Sequence, residues 1–269
     1  MTAIKKSIIL LFCFLLCIST AFGEGELRGY DKDAGYVYVT LGSYPQTLDG
    51  GTVGDPMAAW KWKGSVLKNT EGLTPEAEPI LWRVLASDEE KIYLLSEYIL
   101  FASPMQLDYK AYKKEKGAYA LTDQCILLNG EFAATAFTEE ELNMFLPRED
   151  FGKIFILSTD ELKNKDYGFT GNKARKAWAT EYAVRVTGAF VYKQAEKCCS
   201  PYWTRTQSAS NKQAANCTKQ DGSIGYYTTT NPEEGARPAL WLKNGAFTID
   251  GGSGTMEDPY RILPIPAEE

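Results

Sequence analysis

The residues best able to do chemistry in this chain are cysteines, carboxylates and tyrosines, because the sequence contains no histidine. That absence excludes Ser-His-Asp and Cys-His nucleophilic catalysis, and metal centres built on imidazole. Cys198 and Cys199 are adjacent in "CCSPYWTRTQS" (198–208), and Cys125 and Cys217 lie further along the chain; Cys13 and Cys17 complete the six. A thiolate metal site favours Cys-x-x-Cys spacing with more ligands close by, and a nucleophilic thiol would have only Glu196 or Lys197 as a local base. Four cysteines in an exported chain read instead as two disulfides, with free or buried thiols as the alternative that a bacterial export origin would allow. One would join Cys198 or Cys199 to Cys217, and the other would join the remaining thiol to Cys125. Each bridge would contribute about 2–4 kcal/mol. No metal or cofactor is expected.

The carboxylates of "DGGTVGDP" (49–56) and "DGGSGTMEDP" (250–259) sit among glycines, where turn chemistry accounts for them without a calcium ligand pattern. The third group spans 207–234, rich in Ser, Asn, Gln, Thr and Tyr and poor in aliphatics. Tyrosine offers contact area at low entropic cost and small polar residues offer hydrogen bonds, which is the composition of an adaptable binding surface. The binding surface is expected over 202–237, with candidate contacts Tyr202, Gln207, Ser208, Asn211, Asn216, Tyr226, Tyr227, Thr229 and Asn231.

The elements that must position these residues are short. "GYVYVTLGSYPQT" alternates as a strand ending at Pro45, and "PILWRVLASDEEKIYLLSEYIL" reads as a hairpin turning at "SDEEK" with Trp82, Val84 and Leu85 in the core. Helical spacing of Cys125, Leu128 and Phe132 predicts a helix over Thr122–Phe132, and Thr138 with Glu141 forms a capping box for a second. "KIFILSTDEL" is an apolar strand followed by a short helix opened by Ser158 or Thr159, and "NKARKAWATEYAVRV" reads as irregular. The last third resolves into short strands, with hairpin turns at Asp221-Gly222 and Asn244-Gly245. The fold class is α+β, with antiparallel strands and a few short helices.

Residues 1–23 carry Lys5 and Lys6, an apolar run from Ile8 to Ile18, and small residues at Ala21 and Gly23, the pattern of a removed secretory signal. A polar leader would follow over 24–35, then one domain over 36–243 and a strand-and-turn tail over 244–269. No later stretch is long and apolar enough for a transmembrane helix. The net charge of −6, without a basic cluster, argues against nucleic acid as a partner.

The ordered phrases "LGSYPQT", "EPILWRVLA", "YLLSEYIL", "LNGEFAATAFTEEE", "IFILSTDE", "YWTRT", "DGSIG" and "GARPALWLK" resemble a bacterial family of extracellular proteins known only as a domain of unknown function, over about 36–243. Its C-terminal part is in turn similar to the C-type-lectin-like fold, in the version of formylglycine-generating-enzyme-like proteins and treponemal variable surface proteins. The resemblance implies a compact domain whose last strands and loops carry a ligand surface. It also implies that Trp203 belongs to the core, with Arg205 on the same face, set to pair with a buried carboxylate or carbonyls. Strand alternation would then turn Tyr202 outward. Arg237, before Pro238, would buttress a turn with Trp241 beneath. The sugar-binding motifs Glu-Pro-Asn, Gln-Pro-Asp and Trp-Asn-Asp are absent, as is the copper-binding cysteine motif.

The expectation is therefore an exported, non-catalytic ligand-binding protein, secreted, periplasmic or at the cell surface, for an extracellular protein or glycan. The alternatives are a cysteine-dependent oxidoreductase of the formylglycine-generating type and a structural envelope component.

Overall fold

Period-two alternation produces the first strand, β1 (Tyr38–Leu48), which buries Val39 and Leu41. The computed structural model describes residues 27–51, 53, 71–148, 150–192 and 199–266; the expected signal, Cys198 and part of the 49–56 loop lie outside them. The strand runs past Pro45 to Leu48 because Pro45 falls at a register shift, where its missing N–H costs no ladder bond.

The expected hairpin is β2 (Pro75–Ser87) with β3 (Lys91–Ser96), turned by Asp88, whose carboxylate accepts the backbone N–H of Glu90 and of Lys91. Trp82, Val84 and Leu85 are fully buried, and Trp82 Nε1 donates to the Leu41 carbonyl at 2.9 Å. After β4 (Phe101–Ala102) come α1 (Tyr109–Lys114) and α2 (Asp123–Leu127). The latter continues through a π-helical turn (Leu128–Phe132) into α3 (Ala133–Ala136), and the Thr138–Glu141 capping box starts α4 (Glu139–Asn143).

Then follow β5 (Phe145–Leu146), β6 (Ile154–Ile156), α5 (Asn172–Arg175) and α6 (Glu181–Arg185). The last two fall in the segment expected to be irregular. Thr180 caps α6 by accepting the Ala183 N–H at 3.1 Å, so a local cap outweighs the weak periodicity.

The final strands are β7 (Tyr202–Gln207), β8 (Ala214–Thr218), β9 (Ile224–Thr228), β10 (Gly235–Ala236), β11 (Pro238–Lys243), β12 (Phe247–Ile249) and β13 (Tyr260–Pro264). Among the described residues they complete two sheets in an α+β chain. The larger has the order β12–β13–β1–β2–β3–β11–β5, with β6 also on β11; the smaller has the order β4–β10–β7–β8–β9. The Asp221-Gly222 turn does join a hairpin, β8–β9. Asn244-Gly245 does not: β12 turns away from β11 to pair with β13, which runs parallel to β1. The supposed tail is thus part of the larger sheet.

Of the four passages of the chain between the two sheets among the described residues, two fall after Ser96 and at Arg237. These crossings are tied together: Arg237 Nε donates to the Ser96 carbonyl at 2.7 Å, and its guanidinium lies 3.9 Å from the Glu97 carboxylate, which Arg83 also holds. No helix among the described residues is long and apolar enough to cross a membrane.

Candidate functional site

Strands β7, β8 and β9 carry most of the residues that composition singled out. Cross-strand register aligns Trp203 with Cys217 and Gly225, and Ala215 with Tyr227, on one face. Tyr202 with Thr218, and Asn216 with Tyr226, occupy the other.

Both rings of the Tyr202–Trp203 pair are buried, each 1% exposed. Trp203 Nε1 donates to the Ser103 carbonyl at 2.9 Å on one face, and Tyr202 Oη donates to the Arg175 carbonyl at 2.7 Å on the other. The expectation that Tyr202 faces a ligand is corrected here. Alternation turns one ring away from the other, but the sheet is covered on both faces at β7, so neither ring meets solvent.

Cover runs out at β9. Tyr226 is 46% and Tyr227 38% exposed, on opposite faces of this outermost strand. The hairpin behind them is clamped at its turn. Gly222 has φ +82°, and a Cβ there would collide with the Asn172 carbonyl, while its own carbonyl accepts a hydrogen bond from Arg175 Nε at 2.9 Å.

The other candidates mostly serve the fold. Ser208 is buried, and its hydroxyl accepts the Asn211 N–H; Asn211 in turn accepts the Gln213 N–H. Asn216 donates to Thr159 Oγ1 at 3.2 Å, Thr229 is fully buried, and the half-buried Gln207 donates to the Lys212 carbonyl. Asn231 is half-buried and donates to Glu234 Oε1 at 3.1 Å.

Glu234 is the residue that sequence reading missed. It is 2% exposed, and its Oε2 has no hydrogen-bond partner among the described residues. Burial, with the neighbouring Glu233 charge, pushes its carboxyl up to about 8 against the opposing pull of Lys219, so the neutral acid is the form at neutral pH. In "NPEE" it reads as one more loop carboxylate; only the return of the chain into β10 beside β4 buries it.

Arg205 reaches back to β6 and the turn after it. Its Nη1 donates to the Ile156 carbonyl at 2.7 Å and to Glu161 Oε2 at 2.5 Å. Burial alone would raise the Glu161 carboxyl, but Arg205, the Ser158 N–H and the Tyr93 hydroxyl outweigh it and hold the group below the usual range. Ser158 and Glu161 bond reciprocally, side chain to backbone, ahead of a short 3-10 turn (Glu161–Lys163) whose N-cap position is Asp160 rather than the expected Ser158 or Thr159. Trp241 is half-buried, with the Arg148 guanidinium 4.5 Å from its ring centroid. Arg237 is 1% exposed, and its Nη1 and Nη2 make no hydrogen bond among the described residues.

The disulfide expectation is overturned. Cys125 and Cys217 are free, buried thiols, and Cys199 is buried. Cys125 Sγ donates to the Phe151 carbonyl at 3.4 Å beside α2, whereas Cys217 faces Trp203 inside the smaller sheet. An even count of cysteines says nothing about whether the topology brings their Cα atoms within bridging range. Burial pushes the Cys125 thiol up to about 11 and Cys217 further still, so both are held as thiols rather than nucleophilic thiolates.

Residues 151–244, from just before β6 to just past β11, are similar to the family described as Domain of unknown function (DUF6273). The match therefore takes in the smaller sheet's β7–β10 and the Arg205 and Arg237 contacts. No curated protein and no solved structure matches the chain.

Proposed function

We propose that the chain is an exported, non-catalytic binding protein with a C-type-lectin-like fold, and that its contact surface is the outer edge of β9. The observation that carries this reading is the pair of neighbouring tyrosines exposed on an edge strand without a charged residue or proline, the usual guards of such an edge. The bonds Lys219 N to Ser223 O and Thr229 N to Gln213 O bracket the β8–β9 ladder. Alternation then turns the Tyr226 backbone N–H and C=O away from β8. The ligand, an extracellular protein or glycan, grips the strand from its edge, with one ring on either side. Cys125 and Cys217, held as buried thiols, offer no nucleophile to a cysteine-dependent oxidoreductase, the alternative that would use Cys198 or Cys199.

The test is capture from arrays of oligosaccharides and extended peptides by the folded protein, compared with Tyr226→Ala and Tyr227→Ala. The expected result is loss of capture in both variants with the melting temperature nearly unchanged. Capture equal to that of the unaltered chain, or a large drop in melting temperature, would sink the proposal.

A further inference from the structure

The three most exposed large apolar side chains among the described residues are Leu107 (70%), Ile126 (63%) and Leu121 (57%), and they lie around one carboxylate. Asp123, at the start of α2, accepts the Leu107 N–H at 2.7 Å. The Asp123 N–H in turn donates to Gln106 Oε1 at 3.0 Å, so the two segments are held from both sides. Leu121 precedes Asp123 closely, and Ile126 follows it one turn along the helix. Single exposed leucines are ordinary, but a gathered set marks an interaction site.

A basic face adjoins them. α1 begins directly after Leu107 and its N-cap Asp108, and its one buried side chain is Tyr112. Helical geometry sets Lys110, Lys113 and Lys114 on the outer face, with the exposed Tyr109 beside Lys113. Lys116 follows, and among the described residues only Lys114 of these four has a salt bridge, to the exposed Glu115 at 3.7 Å. The fold adds a fifth lysine. A Cβ on Gly117 would collide with Gln207, whose side chain donates to the Lys212 carbonyl at 3.0 Å, so the exposed Lys212 stands near the end of α1. The two aspartates of this region are turned onto backbone N–H groups, Asp108 as the cap of α1 and Asp123 on Leu107. With a net charge of −6 the sequence reads as lacking a basic cluster, yet the fold assembles one.

Lysines are drawn to negative headgroups, and apolar side chains beside them gain by entering the acyl boundary. A nucleic acid would use the lysines and leave Leu107, Leu121 and Ile126 in water. A second copy related by a two-fold axis would set lysine against lysine. We propose that this face docks on an anionic lipid bilayer, with Leu107, Leu121 and Ile126 in the interface and the α1 lysines and Lys212 on the headgroups.

The experiment spins the folded protein, as processed by its host cell, with vesicles of equal parts phosphatidylglycerol and phosphatidylcholine, and with phosphatidylcholine alone. The expected result is sedimentation with the mixed vesicles that weakens as sodium chloride screens the lysines, and roughly tenfold weaker partition onto phosphatidylcholine. Lys113→Gln with Lys114→Gln should lower partition onto the mixed vesicles by roughly tenfold, as should Leu107→Ser with Ile126→Ser. All four positions are exposed, so the melting temperature should hold in both double variants. Tyr226→Ala should bind the vesicles as the unaltered chain does, so failure here is distinct from failure at β9. No sedimentation with the mixed vesicles, or undiminished partition in either double variant, would overturn the proposal. So would a dimer in vesicle-free solution that Leu107→Ser with Ile126→Ser dissolves, which would assign the face to a second copy.

Discussion

The two edge strands of the smaller sheet are handled in opposite ways. β4 is two residues long, and both Phe101 and Ala102 are buried beneath Tyr44, the π-helical turn and α6. β9 is five residues long, uncharged, and carries two exposed tyrosines. A sheet edge offers unpaired backbone groups, and a protein either covers it or leaves it available. Here the covered edge carries an aromatic cavity and the open edge carries aromatic side chains in solvent. The same ring type is a cavity wall at one edge and solvent-exposed at the other, and what differs is the cover supplied by distant segments.

The comparison breaks first if the covered rings are not structural. Phe101→Ala and Trp203→Ala should each cost about 3–5 kcal/mol in denaturant unfolding, because both remove a buried ring. The next test is the crossing that sets β4 against β10. Glu97→Gln leaves Arg83 and Arg237 without their shared carboxylate and should cost about 3–5 kcal/mol. Arg237→Met should cost clearly less in the same unfolding measurement, since Nη1 and Nη2 of that guanidinium make no hydrogen bond among the described residues and its ion pair with Glu97 is long, at 3.9 Å.

Glu234 sharpens the comparison, as it lies buried behind the open edge. Its carboxyl is raised in the folded state, so the native form holds a proton that the unfolded chain releases above about 4.5. Stability from this group is therefore full below 4.5 and declines as pH rises towards about 8. Glu234→Gln should remove that decline, gaining on the unaltered protein by roughly 1.4 kcal/mol per pH unit in that window. Unfolding curves at several pH values measure it, and parallel pH profiles would show that Glu234 is not held neutral. The smallest effects belong to the open edge: Tyr226→Ala and Tyr227→Ala should each change unfolding free energy by no more than about 0.5 kcal/mol.

Local signals in the sequence carried through wherever a short-range bond produced them. Thr138 and Glu141 cap α4, Asp88 turns β2 into β3, Asp221-Gly222 joins β8 to β9, and the alternation in β1 sorts Val39 and Leu41 to the core. Signals that depended on a distant partner did not. Asn244-Gly245 has the dipeptide of a hairpin turn, yet β12 leaves to meet β13. Adjacent cysteines in an even set suggested staples from Cys198 and Cys199 to Cys217 and Cys125, yet Cys125 and Cys217 are free thiols. The polar run over 207–234 suggested a loop surface, yet its Ser208, Asn216 and Thr229 close hydrogen bonds or pack inside, because β8 is a strand between two others.

Composition and spacing by themselves determined the α+β class, the absence of imidazole chemistry, the capped helix and the strands flanking the tight turns, because each depends on residue types or on bonds within a few residues. The tertiary structure alone decided which tyrosine is core and which is surface, that Glu234 is buried, and that Tyr44, Phe101, Phe132 and Tyr182 converge on one cavity. Burial is set by whichever segment covers a residue, and here the covering segments lie tens to more than a hundred positions away in the chain.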